Sequence, residues 1–319
     1  MMEIREGGKR MVAAKALELE YRYRVNHVVN YMEEHLTDPL TLKEVADVGA
    51  FSPFHFHRVF KAVMGENVHG FIRRIRIEKA IKLLLFHPHR SITDIALDCG
   101  LQTPAHFCRV FREHTGLSAS ECRDRFPLQT IAERFRARFT FVKSTELSRK
   151  LAELPIEIRN LVPMNAIYAR YRGTINEGKI NSDITGLFER VASWLDAREA
   201  LKKGSLTVGL ILDDPFITPD GRHRYDACIT TEQRMTPTGD LGIRTIPGGK
   251  YAIVRMTDRP DTAKDLLHLV SIEWLPLSPY IWDVSRPALE IYFPNSLHHP
   301  EGQFEMEFGI PIKLDEAGF

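Results

Sequence analysis

Two stretches of this 319-residue chain carry the same arrangement of groups suited to contact with a polyanion. Ser52-Pro53-Phe54-His55-Phe56-His57-Arg58-Val59-Phe60-Lys61 recurs downstream as Thr103-Pro104-Ala105-His106-Phe107-Cys108-Arg109-Val110-Phe111-Arg112. Each opens with a hydroxyl residue able to cap a helix, followed by a proline at the first helical position, where a missing N–H costs nothing. The four-residue spacing of Phe56 and Phe60, and of Phe107 and Phe111, with Val59 and Val110 beside them, predicts a buried face. The opposite face carries Phe54, His57, Arg58 and Lys61 in the first copy, and Ala105, Cys108, Arg109 and Arg112 in the second. A mixed, partly basic face of this kind suits a DNA groove. Gly65 and Gly116 are placed to close the two helices in the left-handed conformation.

The segments before each copy position it. Thr41-Leu42-Lys43-Glu44 reads as a capping box opening a helix through Val45, Ala46 and Val48, and Ser91-Ile92-Thr93-Asp94 opens its counterpart through Ile95, Ala96 and Leu97. The turns Gly49-Ala50-Phe51 and Cys99-Gly100-Leu101-Gln102 then lead into the repeated helices, which gives helix, short turn, helix twice. One such match occurs by chance in many all-α folds; two in tandem are far more specific.

Ala96, Gly100, Phe107, Arg109, Phe111, Gly116 and Ser118-Ala119-Ser120-Glu121-Cys122-Arg123, within Arg24 to Phe126, resemble the DNA-binding domain of AraC/XylS-type transcription regulators. The resemblance implies two helix-turn-helix units joined by one long helix, with both recognition helices in successive major grooves. His69 to Phe86 supplies the joining helix, with Phe71, Ile75, Ile81, Leu84 and Leu85 on one side and Arg73, Arg74, Arg76, Lys79 and Lys82 largely on the other. Such a helix spans roughly 27 Å, compatible with half-sites about 34 Å apart when it lies obliquely. By family position, Phe54, His57, Arg58, Ala105, Cys108 and Arg109 reach base edges. Arg58 is suited to bidentate pairing with guanine, and Arg109 either does the same or salt-bridges within its domain. Lys61, Arg112 and some of the linker-helix basic residues are phosphate candidates. The small Ala105 and Cys108 leave the second unit with less specificity than the first. Activation through RNA polymerase, contacted by an exposed face of this domain, is the family's expectation.

Over the whole chain the net charge of +1 conceals an asymmetry. Residues 1–150 carry 25 basic and 18 acidic side chains and the remainder 18 and 24, so the halves stand at +7 and −6. A basic first half fits double-stranded DNA. Cys99, Cys108, Cys122 and Cys228 form no CxxC pair and read as free thiols. HxH pairs such as His55/His57 and His87/His89 diverge by about 200° on a helix, and adjacent His298 and His299 read as solvated, so no metal or other cofactor is expected. No export signal and no apolar run long enough to span a bilayer are visible, which implies a cytoplasmic protein and no membrane partner.

From Leu154 the hydrophobic period changes from helical to alternating. Strands are predicted at Ile156–Arg159, Ala166–Tyr171, Thr207–Leu212, Tyr225–Thr230, Leu241–Ile246, Tyr251–Met256, Ala288–Tyr292 and Glu305–Ile312, with helices at Ile184–Ala200 and Thr262–Trp274. Strand pair, helix, strand pair, twice over, describes an α+β domain with internal pseudo-symmetry and a cleft between its halves. Asp213-Asp214-Pro215, Tyr225-Asp226, Ile246-Pro247-Gly248-Gly249-Lys250-Tyr251, Glu273-Trp274-Leu275-Pro276 and Pro287-Ala288-Leu289-Glu290-Ile291-Tyr292 resemble the GyrI-like effector-binding domain. That resemblance implies a cleft for a small, often cationic and aromatic molecule, with Glu290 inside it and Tyr168, Trp194, Trp282 and Tyr292 as candidate walls. Ordinary core packing is the alternative for each aromatic, and an exposed strand carboxylate the alternative for Glu290. Thr257-Asp258-Arg259-Pro260-Asp261 departs from the family's Gly-Pro-Tyr-like turn.

The expected organisation is therefore multidomain. It comprises an extension over 1–20 with an extra helix at Met11–Leu19, an all-α double helix-turn-helix domain over 21–128, connecting sequence over 129–153 and a GyrI-like domain over 154–314. The expected function is a sequence-specific transcription regulator responding to a small effector. A GyrI-like hydrolase or a ligand-sequestering protein tethered to DNA is the alternative. No second convergent acid, nucleophile motif or metal set supports an enzyme.

Overall fold

The computed structural model describes residues 2–125, 155–173, 180–214, 217–219, 221–258, 270–294 and 304–315. It opens on one helix, α1 (Met2–Glu34), which runs without a break from the extension expected over 1–20, with its extra helix at Met11–Leu19, into the helix-turn-helix domain expected from residue 21. Nothing between Met11 and Arg24 breaks the helix, and the i,i+4 pairs Glu18–Arg22 (2.9 Å) and Glu20–Arg24 (3.5 Å) bridge the junction.

Helices α2 (Leu42–Val48), α3 (Pro53–Met64), α4 (Val68–Phe86), α5 (Ile92–Asp98), α6 (Pro104–Thr115) and α7 (Ala119–Arg125) follow. The Thr41 hydroxyl accepts from the Glu44 amide (3.2 Å) while the Glu44 carboxylate accepts from the Thr41 amide (3.4 Å). Ser52, Ser91 and Thr103 cap α3, α5 and α6 with one amide each, and Gly65 (φ 73°) and Gly116 (φ 75°) close α3 and α6. The turn after α2 places Ala50 at φ 52°, and that after α5 places Gly100 at φ 71°. Ala50 is held there by Arg24, which stacks on Phe51 (3.8 Å) and donates to the carbonyls of Gly49 and Ala50.

Helix α4 is shared by two apolar cores. Phe71 and Ile75 pack with Val25, Val28, Val29 and Met32 of α1, Val45 of α2 and Phe56 and Phe60 of α3. Farther along, Ile77, Ala80, Leu83 and Leu84 pack with Ile95, Ala96, Phe107 and Phe111. Each fully buried phenylalanine contributes about 1.5–3 kcal/mol, so the apolar periodicity fixes the spacing of the two units.

The second half is a curled antiparallel sheet of nine strands: β1 (Ile156–Leu161), β2 (Met164–Gly173), β3 (Thr207–Ile211), β4 (His223–Thr230), β5 (Gly242–Ile246), β6 (Gly249–Asp258), β7 (Tyr280–Trp282), β8 (Ala288–Tyr292) and β9 (Phe304–Leu314). Its order is β1-β6-β9-β8-β3-β4-β2-β5, with β7 on β9. The order is symmetric about the β3/β8 pair, and the first strand of each repeat is exchanged: β1 pairs β6 and β5 pairs β2. Helix α8 (Ile180–Asp196) covers one face, packing Phe188, Val191 and Leu195 on Ile167, Ala169, Tyr225 and Ala227. Of the second expected helix only the end lies among the described residues, as a wide turn over Val270–Trp274. The connecting sequence over 129–153 and His298 and His299 lie outside the described residues.

The two halves meet across a polar seam. Asn30 of α1 donates to the Tyr168 hydroxyl (3.0 Å) and accepts from Arg170 (2.9 Å), and Glu33 pairs with Arg224. Glu66 accepts from both Arg74 (2.7 Å) and Arg222 (3.1 Å). At the far end Phe86 packs on Trp282 (4.8 Å between ring centres) and His87 Nε2 lies 2.7 Å from the Trp282 carbonyl. The arginines that cross the seam, Arg170, Arg222 and Arg224, come from the net-acidic half, and the carboxylates they meet there, Glu33 and Glu66, from the net-basic half, so the charge at these contacts runs opposite to the charge of the halves.

Candidate functional site

Helices α3 and α6 each present a free face. Phe54, His57, Arg58 and Lys61 are exposed on α3, and Ala105, Cys108, Arg109 and Arg112 on α6, while their inward neighbours Phe56, Phe60, Phe107 and Phe111 are completely buried. Phe54 stands 79% exposed, a large apolar surface with no packing role among the described residues. The described residues of the second half leave all eight side chains uncovered. Arg109 lies 3.1 Å from His106 Nδ1 and 3.7 Å from Glu113, which also faces Arg73 at 3.8 Å. The intradomain salt bridge weighed for Arg109 is therefore formed, at an exposed position where water and salt screen it.

The basic residues of α4 are mostly engaged in the fold. Arg74 is 2% exposed between Glu66 and Glu78, Arg76 donates to the carbonyls of Leu36 and Asp38, and Lys79 donates to the Asp98 carbonyl at the end of α5. These three tie the units and the seam together. Arg73 is exposed on this helix, 3.8 Å from Glu113.

In the second half, Glu290 of β8 is 8% exposed and receives two phenols. The hydroxyls of Tyr225 (2.6 Å) and Tyr292 (2.5 Å) both donate to its Oε2 and stand 3.3 Å apart. Phe188 of α8 closes the group edge-on, its ring centre 5.5 Å from Tyr292 and 6.4 Å from Tyr225. Burial first, and the Glu290 charge next, push both phenols well above their ordinary pKa. They stay protonated and hold the carboxylate oxygen as an acceptor. A buried carboxylate among three aromatic rings offers a cation both charge and π faces. Tyr225 reaches Glu290 by crossing β3 at Gly209, the register partner of Glu290, where a side chain would collide with the phenol.

The other expected wall residues stand elsewhere. Tyr168 lies on the opposite face of the sheet, beneath Asn30, with its pKa pushed up to about 12 mainly by burial. Trp282 is buried against Phe86 in the seam. Trp194 packs on the same apolar cluster as Phe188 and Tyr225, but its indole N–H is bound to Thr238 (2.9 Å) and Arg198 stacks on it (3.9 Å). The structure thus joins Glu290 and Tyr292 and adds Tyr225 and Phe188, which were not expected. A glycine inside a strand, Val208-Gly209-Leu210, was the available signal of close approach. Among the described residues no group of His, Cys, Asp and Glu could hold a metal, and no helix is long and apolar enough to cross a membrane.

Two helix-turn-helix units on one shared helix, followed by a pseudo-symmetric sheet domain with a buried carboxylate, define a two-domain helix-turn-helix regulator. Residues 154–313 match the family described as GyrI-like small molecule binding domain, and residues 45–125 match a helix-turn-helix domain. The chain belongs to the AraC-type regulators that carry a GyrI-like domain. It is similar to the HTH-type transcriptional regulator YbfP of Bacillus subtilis (strain 168), 36% identical over 93 residues, which are 29% of this chain and 31% of that protein. It is also similar to the bifunctional transcriptional activator/DNA repair enzyme AdaA of the same organism, 31% identical over 99 residues, 31% of this chain and 46% of that one. The chain thus spans less than half the length of these curated relatives. A solved structure, the EcmrR C-terminal domain, covers 51% of this chain and 99% of its own at 12% identity and a TM-score of 0.41.

Proposed function

We propose that the protein is a sequence-specific DNA-binding transcription regulator whose second domain takes up a small lipophilic cation at Glu290. The observation that carries the DNA reading is the pair of exposed faces on α3 and α6, each backed by buried phenylalanines and both fixed to α4. Arg58 reads guanine in the first groove, with Phe54 and His57 beside it. Arg109 leaves its exposed pair with Glu113 to read the second groove, where Ala105 and Cys108 fit thymine methyls. Lys61, Arg112 and Arg73 contact phosphates, which position the protein without reading sequence. The effector reading rests on Glu290, Tyr225, Tyr292 and Phe188. RNA polymerase is the proposed partner of an outer face of the helical half.

Footprinting on DNA selected from a random pool tests the first part: protection of two major grooves one turn apart on one face of the duplex is expected, and a single protected groove would contradict it. Thermal shifts with tetraphenylphosphonium test the second. The wild type should be stabilised and Glu290→Gln should not; equal shifts would remove the carboxylate's role.

A further inference from the structure

We infer that strand β4 is the conduit between effector pocket and DNA-binding half, with Arg224 and Glu33 as its coupling pair. The inference rests on Glu290 being the effector anchor.

Successive residues of β4 point to opposite faces. Tyr225, with Ala227 and Ile229, faces α8 and the pocket, while Arg224 and Asp226 face the seam. Arg224 is held on both oxygens of Asp213 (2.7 and 2.6 Å) and extends to Glu33 of α1. Asp226 clamps Arg170, which reaches Asn30 three residues away on the same helix. One face of α1 is therefore gripped by residues flanking Tyr225. The apolar face of α1, through Val25, Val28, Val29 and Met32, packs with Phe56 and Phe60 of recognition helix α3. Two covalently adjacent residues thus link the pocket to a helix that moves with the DNA-reading surface.

The seam is also poised to open. Arg172 stands directly opposite Arg224 in the β2/β4 register, a like-charge pair that opposes closure. Its guanidinium donates to the Met64 sulfur (2.8 Å), and burial together with the Arg170, Arg22 and Arg224 charges brings its pKa down to about 10. Both phenols donate to the same oxygen of Glu290, so a cation drawn to that oxygen displaces Tyr225. The displaced strand shifts Arg224 out of its bidentate geometry and weakens the hold on Glu33.

The test uses the full chain, tetraphenylphosphonium and a selected DNA site. Saturating cation should change wild-type DNA affinity by about five-fold or more, the range of measured couplings. Glu33→Gln should bind the cation as wild type does, by calorimetry, yet bring that ratio below two-fold. A ratio retained in Glu33→Gln would overturn the inference. A second arm needs no ligand: in Tyr225→Phe, amides of residues 26–33 should exchange hydrogen several-fold faster than in wild type, with those of α6 as an unchanged reference. Unchanged exchange in α1 would also overturn it. Failure of the cation to bind the wild type would count against the effector reading alone, because the exchange arm still decides the coupling.

Discussion

Tyr225 reaches Glu290 across the bare Cα of Gly209, and a Cβ there would strike the phenol and stand 2.9 Å from Glu290 Oε2. The Glu290 cluster thus depends on a residue that supplies no group to it.

Gly209→Ala is expected to expel the Tyr225 ring from its bond with Glu290 and to destabilise the second domain by about 1–3 kcal/mol, the usual cost of overpacking. Cation titration and chemical denaturation should report weakened binding and a lower midpoint together. An alanine variant with wild-type affinity would mean that Tyr225 does not shape the site.

Asp226 is completely buried between Arg170 and Arg244. Asp226→Asn leaves the buried guanidinium of Arg170 and the partly buried one of Arg244 without their carboxylate, and a loss of about 3–5 kcal/mol is expected. Breaking the exposed Arg255–Glu305 pair should cost under about 1 kcal/mol. Equilibrium denaturation of both variants measures the contrast.

Acid should unfold the second domain through the same groups. Burial alone would raise the carboxyls of Asp213 and Asp226, but the Arg224 charge and the Arg170 charge, with their hydrogen bonds, outweigh it and hold both below the ordinary value. The folded state then binds fewer protons than the unfolded chain in the acid range. The stabilisation is fully present above about pH 4, the ordinary aspartate value, and is lost as pH falls through the depressed folded values. Denaturation midpoints from pH 6 down to pH 2 should fall in that window, and Asp213→Asn should flatten part of the decline.

Cap removal separates the two units. Thr103→Ala should cost about 1 kcal/mol and loosen α6 while α3 keeps its Ser52 cap. Hydrogen exchange should show faster amides in α6 with little change in α3.

The helical half was largely legible because caps, turns and apolar spacing all pointed to the same elements. Arg74 escaped because it is adjacent to exposed Arg73, and a helical period cannot say which basic side faces solvent and which faces another domain. Glu78, four residues on, was the available hint of its partner. In the sheet, alternation located the strands but not their shared faces. Tyr168 and Tyr292 read alike in sequence, and only the register through β4 and β3 puts them on opposite sides. Net charge gave the halves their overall signs, whereas the seam follows individual partners such as Arg224 and Glu33.

Base-by-base specificity of wild type and Arg58→Ala, measured on a library of single-base variants of the selected site, tests the reading role of Arg58. The variant should lose discrimination at one guanine in the first groove, by about 1–3 kcal/mol, and keep the wild-type pattern in the second. An unchanged specificity profile, or a uniform loss of affinity at every position, would contradict it.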